Sequence, residues 1–311
     1  MTAVRLVLVL SENWTIVPSE DVAGLVAMAV AAEDAGFDGV MVSEHIVLGR
    51  GADANGLPPN PREYALPGNQ HPSTPWPSSL VVLSAVAGQT TRLRLIAGAI
   101  IAPLRHPLAL AKDLATLDLL SRGRLVVQPT VGWHRAEYEA LGVPFAERGD
   151  RLDEHLDVWR RAWAPGAGSF RGRHYSFDGA FAEPKPFRAG GPPLWFGGAS
   201  VHGRLLRRIV DFGSGLNPLG TPSPGDLDLL ARAMAEAGRD MSELELVGGT
   251  RGTFAGADDV ADLGLALATV PDQVARGFTT ICIKPSQFVA RADRIPAFCR
   301  EVVDRVSTLA G

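Results

Sequence analysis

Residues 32–46 read AEDAGFDGVMVSEHI and contain the feature that decides the fold. A helical pattern ends at Gly36, where a residue of left-handed conformation commonly stops a helix. The run that follows, Gly39–Ser43, is short, apolar and without alternation, which is typical of a strand buried on both faces. Glu44 and His45 come directly after it, so a carboxylate and an imidazole stand at the end of a buried strand.

The same succession of apolar run and amphipathic stretch is repeated along the chain. Eight runs are predicted as strands: Val4–Leu10, Gly39–Ser43, Leu93–Ile101, Arg124–Val131, Leu194–Gly197, Gly213–Asn217, Leu244–Gly248 and Thr279–Lys284. The predicted helices are Ser19–Ala35, Ser78–Ala87, Pro107–Leu120, Arg148–Trp163, Val201–Phe212, Asp226–Ala237, Asp258–Arg276 and Arg291–Leu309. Strands that alternate with helices, in a chain that no linker divides, favour a single (β/α)8 TIM barrel domain over residues 1–311.

A doubly wound open sheet is the alternative fold. Such a sheet would place a glycine-rich GxGxxG turn after its first strand, where a dinucleotide binds. The turn at residues 11–19 reads SENWTIVPS and contains no glycine. The barrel is therefore the simpler prediction.

Two insertions interrupt the repeats, at about residues 47–76 and 166–193. Val47–Trp76 is rich in Pro, Gly and Asn and far exceeds the ~2–6 residues of an ordinary βα loop. The second insertion has aromatic alternation around Asp178 and Gly179, which predicts a hairpin before the fifth barrel strand. We expect both insertions to lie in loops at the C-terminal mouth of the barrel and to determine the substrate.

Composition excludes several classes of protein. The net charge of −4 and the pI near 6.0 give no global preference for nucleic acid. The two cysteines, Cys282 and Cys299, form no CxxC pair and no cluster with zinc spacing, which suits buried thiols in a reducing cytoplasm. Neither a secretory signal pattern nor a run of ~20 apolar residues is present, so we expect a cytoplasmic protein without a membrane partner.

Glu44 and His45 are the candidate catalytic residues. In a barrel the second strand points its C-terminal end at the mouth, where this pair could bind a ligand and exchange a proton near neutral pH. A solvated loop pair or a structural histidine would explain the same residues. A metal-dependent hydrolase would need several His and Asp at strand ends, and since only the second strand has a good pair, no metal site is predicted.

Three segments, taken in order, resemble the luciferase-like flavin and deazaflavin oxidoreductases of the bacterial luciferase superfamily. They are AEDAGFDGVMVSEHI (32–46), IAGAIIAPLRHPLALAKDLATLDLLSRGRLVVQPTVGWHRAEYEALGVPFAERGDRLDE (96–154) and PPLWFGGASVHGRLLRRIVDFG (192–213). The resemblance covers nearly the whole chain and is strongest to the group assigned to coenzyme F-420. It implies a (β/α)8 barrel with a cofactor ring across the mouth, and a homodimer.

The resemblance also implies which residues contact the cofactor. A non-proline cis peptide behind the ring falls, by alignment, at Ala99–Ile100. Thr130 and Gly132, after the fourth strand, would approach the ring and the ribityl chain. In this chain Gln128 and Pro129 replace the glycine and small residues that are usual there.

A phosphate site is predicted where the fifth strand meets two glycines and a helix. Exposed N–H groups and the helix dipole favour an anion at such a turn. Its predicted residues are Gly197, Gly198, Ala199 and Ser200. Arg204, Arg207 and Arg208, on the helix that follows, could attract the acidic tail of a deazaflavin or form a solvated basic face. These residues do not distinguish coenzyme F-420 from FMN.

The rim offers further candidates. Trp14, Trp76 and Trp133 are predicted to line the substrate site, although Trp133 could instead pack under the following helix. Arg105 and His106 are predicted as structural rim or capping residues. Apolar and aromatic side chains in the first insertion, Leu57, Tyr64 and Trp76, indicate a mainly apolar small-molecule substrate.

The leading functional hypothesis is hydride transfer between reduced coenzyme F-420 and a small organic substrate, with Glu44 or His45 handling the proton. The first alternative is a monooxygenase in which FMNH2 and O2 oxygenate the substrate and His45 stabilises the intermediate. The second alternative belongs to another class, a flavin-binding protein without catalytic activity.

Overall fold

A computed structural model describes residues 4–198 and 200–310 and shows the predicted (β/α)8 TIM barrel. The strands are β1 (Arg5–Val9), β2 (Gly39–Val42), β3 (Arg94–Ile101), β4 (Leu125–Thr130), β5 (Gly168–Arg171), β6 (Ser176–Ala180), β7 (Trp195–Phe196), β8 (Gly215–Leu216), β9 (Glu245–Gly249) and β10 (Thr280–Ile283). Eight of them form a parallel sheet in the order β4-β3-β2-β1-β10-β9-β8-β7. A parallel bridge between Val127 and Leu194 joins its two edges and closes the barrel.

Helices surround the barrel. They are α1 (Val22–Ala35), α2 (Ser79–Gln89), α3 (Pro107–Leu120), α4 (Arg135–Ala140), α5 (Arg148–Trp163), α6 (Gly203–Phe212), α7 (Pro224–Glu236), α8 (Leu263–Leu267), α9 (Val270–Ala275) and α10 (Ile295–Ala310). Among the described residues, none of these helices is both long and apolar enough to cross a membrane.

The single helix predicted at Asp258–Arg276 is wrong, because this stretch contains the two short helices α8 and α9. Asp262 caps α8 by accepting a hydrogen bond from the backbone N–H of Leu265, so that helix begins only at residue 263. Pro271 lies in the first turn of α9 and has no N–H with which to continue the preceding helix.

The inside of the barrel has an apolar floor. Its buried side chains are Val7, Val9, Met41, Ile96, Val126, Trp195, Val247 and Cys282. Side chains two residues further along a strand point to the same face. In that next layer the residues are small or polar: Ser11, Ser43, Gly98, Gln128, Gly197, Gly249 and Lys284. The change from apolar to small and polar residues marks the start of the mouth.

Both cysteines are buried, as predicted. Cys282 belongs to the barrel floor, and Cys299 lies in the larger core between the sheet and the helices. Burial raises the pKa of each thiol to about 12, so both stay protonated at neutral pH.

The two insertions lie on different parts of the barrel. The loop at 47–76 follows β2 and stands over the mouth, as predicted. The segment at 166–193 forms the predicted hairpin, β5 and β6, but it follows α5 and precedes β7, so it is an αβ connection. Its backbone N–H groups at residues 173–175 bond the carboxylate of Glu154 in the middle of α5. The expectation that it is a βα loop is therefore wrong, although the ring centroid of its Tyr175 lies 5.5 Å from that of His106 at the start of α3.

Glu33, at the end of α1, fixes the entry into β3. Its carboxylate accepts hydrogen bonds from the backbone N–H groups of Thr91, Arg92 and Leu93 at 2.9–3.1 Å. Burial opposes ionisation of Glu33, but the N–H groups of Leu93, Arg92 and Thr91 and the guanidinium of Arg92 outweigh it and lower its pKa.

We expect Glu33→Gln to lower the free energy of unfolding at pH 7 by about 2 kcal/mol, because charge-assisted hydrogen bonds are lost. A carboxyl with a lowered pKa in the folded state stabilises the protein above its ordinary pKa near 4.5 and loses that effect as pH falls through the folded value. The gap between wild type and variant in urea denaturation should therefore shrink below pH 4.5. Asp34→Asn, an exposed change on the same helix, is the control; an equal loss in both variants would contradict the assignment.

Candidate active site

Glu44 lies directly after β2 and is buried. Arg105 holds its carboxylate in a two-point ion pair, with Nη1–Oε1 at 2.7 Å and Nη2–Oε2 at 3.0 Å. The hydroxyl of Ser79 and the backbone N–H of Ile101 donate to the same carboxylate at 2.9 and 3.0 Å. Glu44 thereby joins the ends of β2 and β3 to the start of α2, and both of its oxygens are fully engaged.

His45 faces a second buried carboxylate, that of Glu137 on α4. The His45 Nδ1 lies 3.1 Å from Glu137 Oε2. Glu137 Oε1 accepts hydrogen bonds from the backbone N–H groups of Ile46 and Val47, at 2.5 and 3.3 Å. One side chain therefore orients the imidazole and also fixes the first residues of the 47–76 loop.

Gln70, from the far part of that loop, approaches the other ring nitrogen of His45. Its Nε2 lies 3.4 Å from His45 Nε2, while its Oε1 is buried without a partner among the described residues. With the proton of neutral His45 on Nδ1 toward Glu137, Nε2 accepts from the amide of Gln70. A half-turn of that amide would present Oε1 to a protonated Nε2, so Gln70 can serve both protonation states.

Two of the three predicted tryptophans contact His45, and the third contacts one of them. Its ring centroid lies 5.3 Å from that of Trp76 and 5.6 Å from that of Trp133, both in edge-on geometry. Trp14 in turn lies 6.1 Å from Trp76. The structure brings these side chains together around one imidazole, and their contact with substrate stays a prediction.

His134, next to Trp133, anchors the start of the loop. Its Nε2 accepts a hydrogen bond from the backbone N–H of Gly49 at 2.9 Å. Burial is the largest influence on this imidazole and lowers its pKa, with the His45 ring acting in the same direction and Glu137 opposing it. His134 is therefore neutral at physiological pH, as an acceptor must be.

Lys284 holds the middle of the loop from the opposite side of the mouth. Its buried Nζ donates to the backbone carbonyl of Glu63 at 2.8 Å and pairs with Glu12 Oε2 at 3.5 Å. The same Glu12 oxygen accepts from the N–H of Ala65 at 2.7 Å. Burial lowers the pKa of Lys284, and the charges of Glu12 and Glu63 partly restore it.

The non-proline cis peptide predicted at Ala99–Ile100 lies one bond earlier, between Gly98 and Ala99, so its position is wrong by one residue. The pairing of β3 with β4 is irregular between Gly98 and Ile100. A Cβ on Gly98 would come within 3.0 Å of Ile96 and 3.2 Å of Met41, so glycine suits this tightest point. Ile100 packs into the core between sheet and helices, and Ala99 stays half-buried.

The end of β4 combines Thr130, which is half-buried, with Gly132 at φ +65°. A side chain on Gly132 would be strained by that φ and would lie 3.0 Å from Ile101. Gln128, where glycine was expected from the resemblance, bonds across the barrel to Asn217. The Asn217 Nδ2 donates to Gln128 Oε1 at 2.8 Å, so two amides line one wall of the mouth.

The predicted phosphate turn after β7 is described in part. A Cβ on Gly197 would lie 1.8 Å from the backbone oxygen of Asn217, so only glycine fits. Gly198 has open space around it, with no neighbour closer than 3.7 Å to an added Cβ, and Ser200 is exposed. Ala199 lies outside the described residues. An anion at this turn stays a prediction.

Two of the three arginines on α6 are engaged. Arg204 pairs with Asp150 at 2.8 Å and Arg208 with Asp153 at 2.7 Å, both aspartates on α5. Arg207 is exposed. The capping role predicted for His106 is confirmed by its bond from the N–H of Leu108, at 3.3 Å.

Buried polar atoms without partners concentrate at the mouth. Of eleven such side-chain atoms in the described part of the chain, eight belong to loops that follow barrel strands. They are in Trp14, Thr15, Ser43, Arg62, Gln70, Trp76, Thr250 and Ser286. An unsatisfied buried polar group costs about 1–3 kcal/mol. Their grouping at one end of the barrel indicates a site that binds a polar ligand.

Glu137 and Gln70 are the residues that sequence reasoning missed. Both are distant in sequence from His45, at separations of 92 and 25 residues. The available signal for Glu137 is its place one helical turn after His134, in the quoted stretch GWHRAEYEALG, where it turns a carboxylate inward. No group of three metal-ligating side chains occurs in the described ranges.

Comparison with known proteins places this site in a family. The sequence profile described as luciferase-like monooxygenase matches residues 5–264. Uncharacterized protein Rv0953c of Mycobacterium tuberculosis is 34% identical over 221 residues, which cover 69% of this chain and 74% of that protein. The FMNH(2)-dependent dimethylsulfone monooxygenase of Pseudomonas putida is 29% identical over 214 residues, which cover 67% of this chain and about half, 53%, of that protein.

Solved structures share the architecture. Monooxygenase RslO1 from Streptomyces bottropensis superimposes with a TM-score of 0.71 at 19% identity, over 99% of this chain and all of that one. The coenzyme F420-dependent tetrahydromethanopterin reductase from Methanopyrus kandleri gives 0.68 at 16%, over 98% and 99%. At these identities the likeness shows the fold alone. With the profile match over most of its length and a 34% identical relative, this chain belongs to the luciferase-like monooxygenase family.

Proposed function

We propose that this protein is an oxidoreductase that transfers hydride between reduced coenzyme F-420 and a small organic substrate at the barrel mouth. The observation that carries the proposal is the His45–Glu137 contact, which holds an imidazole with a defined tautomer beside two tryptophans, Trp76 and Trp133. Membership of a family of redox enzymes supports the same conclusion. A positioned imidazole can take or give the proton that accompanies hydride transfer.

The residues of the mouth fit a tricyclic cofactor. Gly98 removes a side chain at the end of β3, Gly198 leaves the turn after β7 open, and Gln128 and Asn217 present amides between them. When bound, the cofactor supplies the hydride chemistry that amino acid side chains lack. The protein residues then bind and orient it, exclude water through the 47–76 loop, and hold a proton at His45 Nε2.

The roles of the two residues predicted as catalytic differ in this proposal. Both carboxylate oxygens of Glu44 accept hydrogen bonds, from Arg105, Ser79 and Ile101. We therefore assign Glu44 to positioning the ends of β2 and β3. His45 has one ring nitrogen held by Glu137 and the other turned to the movable amide of Gln70. We therefore assign proton transfer to His45 and orientation of its ring to Glu137.

An FMNH2-dependent monooxygenase is the second candidate. It is favoured by the match to the FMNH(2)-dependent dimethylsulfone monooxygenase, which aligns over 67% of this chain. In that reaction bound FMNH2 would supply the oxygen chemistry, and His45 Nε2 would hold a proton beside it. Substrate contacts by Trp14, Trp76 and Trp133 are common to both candidates.

Titration of the purified protein with FMN and with coenzyme F-420, followed by fluorescence, separates the candidates. We expect saturable binding of the deazaflavin and oxidation of its reduced form by an organic acceptor without oxygen consumption. Binding of FMN alone, with oxygen uptake, would establish the second candidate instead. Binding of neither would contradict both, and binding without turnover across acceptors would indicate a flavin-binding protein.

With the cofactor and an acceptor in hand, we expect His45→Ala to lower kcat by about 10²–10⁴-fold and to leave cofactor affinity near the wild-type value. Glu137→Gln should lower kcat by about tenfold or more, because its amide can donate to Nδ1 and move the imidazole proton to Nε2. The pH profile of kcat/KM should change in both variants.

Glu139→Gln, an exposed change on the same helix, is the matched control and should behave as wild type. A Glu137→Gln enzyme with the wild-type pH profile would remove Glu137 from the mechanism. Unchanged turnover in His45→Ala would do the same for the imidazole.

A homodimer is the assembly we propose, on the face formed by α1, α2 and α10. A groove there is lined mostly by small apolar side chains of α1, among them Val22, Val26 and Val30. Val81, on the adjoining helix α2, is 66% exposed. Contiguous apolar surface of this kind marks an interface rather than a solvated helix face.

Size-exclusion chromatography with light scattering should give twice the chain mass of 33.0 kDa for wild type and a monomer for Val81→Glu. Leu265→Glu places the same charge at a residue that is 74% exposed on α8 and does not line this groove, and it should stay dimeric. A monomeric wild type, or a dimer that tolerates Val81→Glu, would refute the proposed interface.

A further inference from the structure

Arg62, in the middle of the 47–76 loop, is a nearly buried cation without a counter-charge. The residue is 9% exposed, and its Nε is fully buried with no hydrogen-bond partner in the described residues. No carboxylate of the described residues lies within salt-bridge distance of its guanidinium. A lone buried cation is strongly destabilising unless an anion neutralises it.

A bridging amide joins the loop at Arg62 to the segment that carries Arg251. Gln287 Nε2 donates to the backbone carbonyl of Arg62 at 3.3 Å, and Gln287 Oε1 accepts from the N–H of Gly252 at 3.0 Å. Arg251, the residue before Gly252, lies with its guanidinium 6.0 Å from the ring centre of Tyr64. One carboxamide therefore joins the backbones at Arg62 and Gly252, and the side chain of Arg251 is exposed.

Thr250 completes the cluster. It is 1% exposed, and its hydroxyl has no partner among the residues that the structure describes. Its backbone N–H donates a hydrogen bond to the carbonyl of Cys282, which holds the residue in place at the end of β9. A rigid, unsatisfied hydroxyl that directly precedes Arg251 in the chain can donate to an oxyanion.

The nearby acidic groups do not neutralise this cluster. Glu12 pairs with Lys284 and accepts from the N–H of Ala65. Within the described residues, the Glu63 carboxylate accepts one hydrogen bond, from the N–H of Asn60 at 3.5 Å. Tyr64 lies between Lys284, at 5.2 Å from its ring centre, and Arg251. Arg62 and Arg251 therefore have no ion-pair partner among the described residues.

The cluster also occupies a suitable place in the barrel. The loops after β9 and β10 follow the seventh and eighth barrel strands, where TIM barrels frequently bind phosphate groups. The turn after β7, where the cofactor phosphate is predicted, is separated from β9 by β8. One mouth can therefore hold two anions at different positions.

We propose that Arg62 and Arg251, with the Thr250 hydroxyl, bind the phosphate or carboxylate of the substrate, and that the substrate of this enzyme is an anionic small molecule. The identification of the anion as the substrate rests on the proposed function, whereas the existence of the anion site does not. Arg62 and Arg251 fix one end of the substrate so that the other end reaches His45 across the mouth.

The test is isothermal titration of the full-length protein with inorganic phosphate, at constant ionic strength and without cofactor. Wild type should bind saturably. Arg62→Gln and Arg251→Gln should each raise the Kd for phosphate by about tenfold or more, as expected for loss of a charge-assisted contact. Arg50→Gln, an exposed change in the same loop, is the matched control and should leave the Kd unchanged.

Stability distinguishes a ligand-binding arginine from a structural one. Without phosphate, Arg62→Gln should melt at the wild-type temperature or above it, because it removes an uncompensated buried charge. Wild-type phosphate affinity in Arg62→Gln, or no saturable binding by wild type, would overturn the proposal. Should Arg62→Gln fail to fold, Arg62→Lys and Arg251→Gln decide by the same measurement.

Repeating the titration on protein saturated with its cofactor identifies the source of the anion. Retained phosphate binding supports a substrate anion, whereas loss of binding shows that the cluster takes the cofactor phosphate and refutes our assignment. The cofactor Kd of Arg62→Gln should equal that of wild type. A protein that binds phosphate through Arg62 but binds neither cofactor would refute the proposed function and leave the anion site standing.

Discussion

The buried carboxylate of Glu137 is the contact on which the organisation of the mouth depends. It is fully removed from solvent and satisfies the imidazole of His45 together with two backbone N–H groups of the loop that follows. Removing one hydrogen-bond partner from a buried carboxylate in that position costs about 1–3 kcal/mol. The position of the imidazole and the path of the loop therefore depend on each other through Glu137.

The loop itself is fixed at points around the rim rather than packed as a domain. His134 holds its start, Lys284 and Glu12 hold its middle, and the amide of Asn60 bonds the carbonyls of Gly256 and Asp259 after β9. These are mostly single hydrogen bonds between polar groups, each worth about 0.5–1.5 kcal/mol. Such a loop can open for ligand exchange by breaking a few contacts while the barrel stays intact.

The sequence predicts the barrel well because a strand buried on both faces is recognisable from its own residues, as a short apolar run without alternation. Val40, Met41 and Val42 are apolar without alternation, and the structure buries all three. Helix ends that depend on one residue are equally local, as for Gly36, which adopts φ +98° after α1. The helix predicted at 258–276 fails because hydrophobic periodicity does not register that Pro271 interrupts it.

The site is predicted less completely, since its contacts are long-range. His45 is identifiable because it follows a predicted strand, but no residue near it in sequence predicts its contacts with Glu137 and Gln70. The cis peptide is displaced by one bond because alignment to a family does not resolve the irregular pairing between Gly98 and Ile100. Arg62 is overlooked for another reason: an arginine in a polar loop is ordinarily solvated, and only folding shows that this one is enclosed.

The polar groups of the mouth lie on two kinds of element, the barrel frame and the 47–76 loop. His45 and Glu44 follow a barrel strand, and their partners lie on α4 and beside β3, so the reacting end is set by the rigid frame. Arg62 is carried by the loop, and its neighbour Arg251 follows β9 at the opposite side of the mouth. Loop sequences can change without disturbing a barrel, which is how one fold supports many chemistries. In the proposed function, a substrate held by its charge on the loop would be presented to the imidazole on the frame. Altering the loop would then exchange that substrate for another, while β3, β4 and β7 stay as they are.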